Sequence, residues 1–130
     1  MKKVYIAARF SDRLLVKKLY VKLEKIGFRI AGDWTENVSR KPYDQYPENT
    51  TTNVIKDVQG VQSCDIFIML THAEVGSGSS AELGCAVMSY LLRNKPEIYV
   101  VGEHMGNNFF YFHPCVKRRK KIEEVFAEIK

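Results

Sequence analysis

Five consecutive apolar residues, Ile66–Leu70, stand between Asp65 and the polar pair Thr71-His72. A few residues later the Gly/Ser-rich stretch at 76–80, GSGSS, leads directly to Glu82. An apolar run of that length, punctuated on both sides, reads as a strand buried on both faces, the mark of a central parallel strand. Glycine permits unusual dihedrals and serine caps helices, so GSGSS reads as a flexible loop opening a helix. Parallel strands require helical crossovers, which confines the chain to an α/β layer. Open sheets of this class bind ligands just outside the carboxyl ends of their strands, so Glu82, on the first turn of that helix, is expected to face the crevice.

The rest of the chain alternates in the manner of βαβ units. Residues 4–8 read as a first strand. Leu15, Leu19, Leu23 and Ile26 recur at helical spacing over 12–25, and Gly27 ends that helix. Residues 28–31 read as a short second strand. The segment 33–49 is polar and turn-rich, holds Trp34, Tyr43, Tyr46 and two prolines, and is too long for a simple connection; segments of this kind are often lids or walls of sites. Residues 50–63 read as a helix with Val54, Val58 and Val61 inward, 83–92 as a helix continuing from the serine loop, and 98–101 as another buried strand. Residues 109–112 read as a short strand before a terminal helix carrying Ile122, Val125, Phe126 and Ile129. The expectation is a single α/β domain over residues 1–130, Rossmann-like (flavodoxin-like), with a mostly parallel sheet flanked by helices.

Composition excludes several classes. At 130 residues and 45% hydrophobic, the chain suits one domain with a real core, and no apolar run approaches membrane-spanning length. The N-terminal apolar run is too short for a signal-peptide core. Cys64, Cys85 and Cys115 are odd in number and far apart, which suggests neither a disulfide framework nor a zinc site. A soluble, cytoplasmic protein is expected. The net charge of +5 concentrates in residues 117–121, placed at the start of the last helix, and in Lys17, Lys18, Lys22 and Lys25. No aromatic-interleaved basic patch accompanies these runs, so they read as solvated helix faces, and a small anionic molecule is a better expected partner than a nucleic acid.

Four pieces in order, VYIAARFSDR at 4–13, DVQGVQSCD at 57–65, GSGSSAELGCA at 76–86 and the Lys95-Pro96 strand ending in Val101-Gly102, resemble the nucleoside 2-deoxyribosyltransferase family and its relatives that hydrolyse the N-glycosidic bond of nucleoside 5'-monophosphates. The resemblance implies a Rossmann-like fold with the active site at the carboxyl edge of the sheet. It implies cleavage of a nucleoside or nucleotide N-glycosidic bond, with no metal and no organic cofactor. Breaking that bond develops oxocarbenium character at C1', which calls for a carboxylate below C1' and a proton for the leaving base. By the resemblance Glu82 is the nucleophile, Tyr5 orients it, and Asp57 faces the base and relays a proton to it, whereas Asp65 closes the preceding helix. Ser77, Gly78, Ser79 and Ser80 with Arg9 are expected to form a phosphate cradle and Phe10 and Trp34 to wall the base; the family completes its site from a neighbouring subunit, for which the segment 102–114 with Asn107, Asn108 and His113 is the candidate, so a homodimer or larger homo-oligomer is implied.

Each residue also has a plain structural reading. A Glu near a helix N-terminus is favoured by the helix dipole, Tyr5 suits a core strand, Asp57 an exposed helix face, the serines a capped turn, and Phe10 and Trp34 packing beneath the long loop. His113 before Pro114 suits a structural loop. The transferases of the family usually carry an acidic residue six positions before the nucleophile, where this chain has Gly76, which leans the reading toward hydrolysis. Base exchange, a non-catalytic nucleotide-binding module gripping phosphate through GSGSS, and a basic nucleic-acid-binding domain using residues 117–121 remain the alternatives.

Overall fold

Where helical crossovers alternate with short apolar runs, backbone polar groups are satisfied by placing the runs side by side. The computed structural model, which describes residues 1–73 and 77–130 apart from the side chain of Ser77, has five parallel strands: β1 (Lys3–Ala7), β2 (Arg29–Ile30), β3 (Ile66–Leu70), β4 (Glu97–Val101) and β5 (Val116–Arg119). Their order is β2-β1-β3-β4-β5, the flavodoxin-like order. The helices are α1 (Arg13–Lys25), α2 (Pro47–Ser63), α3 (Ser77–Arg93) and α4 (Ile122–Ile129). Right-handed crossovers put α1 on one face and α2 and α3 together on the other, and α2 and α3 pack against each other. The chain reverses its order between β1 and β3, so the crevice for a ligand opens beyond Ala7 and Leu70.

The core is the buried strands β1, β3 and β4 with Val16, Leu19, Tyr20 and Leu23 of α1, and Leu83 and Ala86 of α3. Several boundaries differ from the sequence reading. The inward face of α1 is 16, 19, 20 and 23, a helical i, i+3, i+4, i+7 stripe, which leaves Leu15 and Ile26 exposed. Helix α2 starts at Pro47, whose missing N–H suits the first helical position. Its buried or half-buried positions are Asn49, Thr50, Asn53, Asp57, Gly60 and Val61, so Val54 and Val58 face outward. Helix α3 already begins at Ser77, which places Glu82 in its second turn. Phe109–Phe112 is a 3-10 turn and not a strand. Residues 116–119 form β5, so most of the basic run lies on an edge strand rather than on the last helix. Arg119 there forms a paired bond to Glu128.

Edge strand β2 pairs only two of its residues with β1, and side chains take over where it stops. The Ile6 N–H donates to the Tyr20 hydroxyl at 3.0 Å, and the Trp34 indole N–H donates to the Ile6 carbonyl at 2.6 Å. Buried backbone groups are thereby paired without a longer strand, and the carboxyl end of β1 stays open on that side. Close packing also fixes the middle of β1. The Tyr5 ring stacks on Phe67 with centroids 6.1 Å apart and planes 5° from parallel, and a Cβ at Gly60 of α2 would fall 2.8 Å from that ring. Gly60→Ala is therefore expected to lower stability by about 1–3 kcal/mol through overpacking. Gly84→Ala, whose added Cβ meets nothing within 4 Å, is expected to be neutral or up to about 1 kcal/mol stabilising. Urea denaturation of the two variants beside the parent measures both.

Candidate functional site

Glu82, Asp57 and Tyr5 converge although they come from three elements. Glu82 and Asp57 line one cavity of about 330 Å³ with Ala8, Arg9, Phe10, Trp34, Lys41, Tyr43, Gly78 and Ser79. Ala8, Arg9 and Phe10 follow β1 directly, and Gly78, Ser79 and Glu82 lie in the first two turns of the helix after β3, so the cavity sits at the switch point of the sheet. Tyr5 lies beneath it in the middle of β1 and donates its hydroxyl to Glu82 Oε2. The hydrogen bond spans the boundary between core and cavity.

Burial sets the electrostatics. It pushes the Glu82 carboxyl up from 4.5 to about 7, opposed by the Tyr5 hydrogen bond and reinforced by the negative charge of Asp57. Burial, with Glu82 and Asp57 close by, drives the Tyr5 phenol far above its ordinary range, so it stays a neutral donor. Asp57 is also raised by burial, against the opposing effects of a hydrogen bond from Asn37 and of Lys56. Asn37 Nδ2 donates to Asp57 Oδ1 at 3.3 Å. Burial thus raises both carboxyls that line this cavity, and Glu82, at about 7, changes charge near neutrality.

The other expected residues are distributed more widely. Arg9 lines the cavity and pairs with Asp12 at 3.0 Å. Trp34 is buried and anchored, whereas Phe10 is 49% exposed, tilted toward Trp34 at 6.4 Å and covered on one side by Arg13 at 4.8 Å. Gly78 and the buried Ser79 face Glu82. Ser80 does not: it lines a separate hollow of about 290 Å³ with Leu83, Gly84, Val87, Met88, Phe110 and Asn108. Asn108 there caps its turn by accepting from the Phe110 N–H. Within one chain it is therefore apart from Glu82. Gly76 and the side chain of Ser77 lie outside the described residues. Asp65 sits at the opposite, amino end of β3, where it accepts from the Lys3 N–H at 2.8 Å and pairs with Lys95 at 3.2 Å, so its side chain ties neighbouring strand ends together and does not close α2. His113 accepts from the Cys115 N–H at 3.1 Å, also a loop-building role.

Lys41 and Tyr43 line the first cavity and Asn37 bonds to Asp57, whereas the sequence reading names Tyr43 only as one aromatic of its segment and the other two not at all. All three belong to the 33–49 segment, whose length had marked it as a wall without saying which side chains it delivers. A second cavity of about 520 Å³ adjoins the first, shares Trp34 and Asp57 with it, and is lined further by Asn37, Lys56, Gln59 and Gln62. Among the described residues no group of three or more His, Cys, Asp or Glu could hold a metal ion, and no helix is long and apolar enough to cross a membrane.

No protein-family model matches the chain. No curated protein matches it either. Among solved structures, the Clostridium botulinum CMP N-glycosidase BcmB aligns with 98% of this chain and 95% of its own, at a TM-score of 0.61 and 19% sequence identity. The two chains share one fold. At that identity the likeness extends to the architecture, and it meets the expectation of a Rossmann-like α/β domain drawn from the four sequence pieces.

Ionised Glu82 is penalised in the folded chain and not in the unfolded one. Its stabilising, protonated form is fully present below about pH 4.5 and is lost as pH rises through about 7. Relative to Glu82→Gln, the parent is expected to lose on the order of 2 kcal/mol of stability between about pH 5 and about pH 8. Chemical denaturation of both proteins across that range checks the sign.

Proposed function

We propose that the protein cleaves the N-glycosidic bond of a nucleoside or (deoxy)nucleoside 5'-monophosphate and releases the free base. The observation that carries this reading is the partly buried Tyr5–Glu82 hydrogen bond, with Glu82 and Asp57 lining one cavity at the switch point of the sheet. The shared fold of a CMP N-glycosidase and the ordered sequence pieces support it. In this mechanism Glu82, ionised near neutral pH, attacks C1' from below while Tyr5 fixes its carboxylate. Asp57 gives a proton to the departing base, and water then displaces Glu82. Trp34 supplies an anchored aromatic surface for the base. Arg9 and Lys41, cations on the same cavity, together with Gly78 and Ser79 near the start of α3, suit a 5'-phosphate. The reaction needs neither a metal nor an organic cofactor.

A panel of ribo- and deoxyribonucleosides and their 5'-monophosphates, with and without an acceptor base, tests this by chromatography of free base. Base is expected from monophosphates in preference to nucleosides and without acceptor, and Glu82→Ala is expected to abolish it. Activity should rise with pH through about 7, as Glu82 ionises. Tyr5→Phe removes a bond that favours the carboxylate, so its acidic limb should move upward by roughly one pH unit. Release of base only with an acceptor would make the protein a transferase. No release from any substrate, or full activity in Glu82→Ala, would overturn the reading.

The working unit proposed is a homo-oligomer. Val54, Ile55 and Val58 of α2 and Met88, Leu91 and Leu92 of α3 are exposed on two helices packed together, an apolar face that a second copy would cover. Sedimentation of the parent should give at least a dimer, and Val58→Glu with Met88→Glu should give a monomer. A monomeric parent at micromolar concentration would refute this.

A further inference from the structure

The segment after Trp34 is tied down on both sides. Toward the sheet, the Trp34 indole bonds to Ile6, Asp33 accepts from Thr35 N at 3.0 Å, the Asn37 N–H donates to the Trp34 carbonyl at 3.0 Å, and Lys17 pairs with Glu36 at 2.8 Å. Toward α2, the Val38 carbonyl accepts from both Asn49 Nδ2 at 2.8 Å and Asn53 Nδ2 at 3.1 Å, and Asn49 Oδ1 accepts from the Arg40 N–H at 3.2 Å. The strap is thus held in register on α2. Asn53 and Asp57 are i, i+4 neighbours on one face of that helix, so the clamp that holds Val38 also delivers the preceding side chain, Asn37, onto the Asp57 carboxyl.

The direction of that bond matters. An amide nitrogen only donates, so Oδ1 of Asp57 is committed as acceptor and a carboxyl proton belongs on Oδ2. We infer that Asn37 is a positioning residue, whose side-chain amide holds the Asp57 carboxyl so that Oδ2 carries the proton to the departing base. This rests on the base-release reading above. In the step, the proton passes from Asp57 Oδ2 to the base as the C1'–N electron pair leaves with it, and a Glu82 oxygen bonds to C1'. The resulting Asp57 carboxylate is stabilised by the Asn37 N–H. Water then displaces Glu82 at C1' and returns its proton to Asp57. The charged and titratable groups around Asp57 are Lys56 on its own helix, Tyr5 on β1, Glu82 on α3, and Arg9, Asp33, Lys41 and Tyr43 on the surrounding loops.

Asn37→Ala and the isosteric Asn37→Asp, which cannot donate when ionised, test the inference on two probes. One is CMP, or whichever 5'-monophosphate of the panel the parent cleaves fastest. The other is p-nitrophenyl β-riboside 5'-phosphate, or its 2'-deoxy counterpart, whose leaving group departs without a proton. On the nucleotide both variants should lose about tenfold or more in kcat. On the p-nitrophenyl probe the loss should be at least several-fold smaller. The Asn37 bond favours the carboxylate, so in Asn37→Ala the limb of the pH profile set by Asp57 should move to higher pH. Equal losses on both probes with an unmoved pH profile would mean that Asn37 only supports the fold, and unchanged kcat on the nucleotide would remove any role. A parent that hydrolyses the p-nitrophenyl probe but no nucleotide would refute this inference while sparing Glu82. A parent inert on both would end the base-release reading and this one together.

Discussion

A carboxylate taken out of water costs several kcal/mol unless something nearby favours its charge. Glu82 is placed in that position, and the Tyr5 hydroxyl is the direct donor that meets it. Much of the surrounding architecture keeps the two together. Phe67 and Gly60 leave the Tyr5 ring one place to lie, and α3 begins early enough that Glu82 in its second turn reaches the phenol. The result is an acid whose charge is marginal at neutral pH, which makes it responsive to whatever binds above it. A substrate with cationic character at C1' would supply the missing counter-charge.

The same geometry explains why the cleft is where it is. Had β2 continued alongside β1, the sheet would have closed over the carboxyl end of β1. It stops after two residues, and Trp34 and Tyr20 pair the backbone that it leaves. The chain between β2 and α2 is then free to cross the opening as a strap, carrying Asn37, Lys41 and Tyr43 to it. Hydrogen bonds that fix the strap on α2 and side chains that line the cavities alternate along it.

How much of this the sequence reveals depends on whether local pattern and burial agree. The strand Ile66–Leu70 and the order of the crossovers were readable because strands buried on both faces leave a continuous apolar run. Glu82, Tyr5 and Asp57 were readable as candidates because they stand in the resembling pieces; their convergence is a tertiary fact. Helix α2 misled: its apolar positions 54 and 58 point outward, while polar Asn53 and Asp57 turn inward because there the helix flanks a cleft and not a core. The run 109–112 is aromatic, which favours strand by propensity, but the Asn108 cap winds it into a 3-10 turn. Lys41 and Asn37 had no local signal, since a turn-rich segment does not encode which of its side chains face inward.

The central claim is that Glu82 itself bonds to C1'. Peptide mass analysis after incubation with a 2'-deoxy-2'-fluoro-arabinosyl 5'-monophosphate, whose fluorine slows the second step, tests it directly. The account predicts a sugar-phosphate ester on the peptide spanning α3, localised to Glu82, and absent in Glu82→Gln. An adduct on any other residue, or base release that continues in Glu82→Gln at the parental rate, would contradict it.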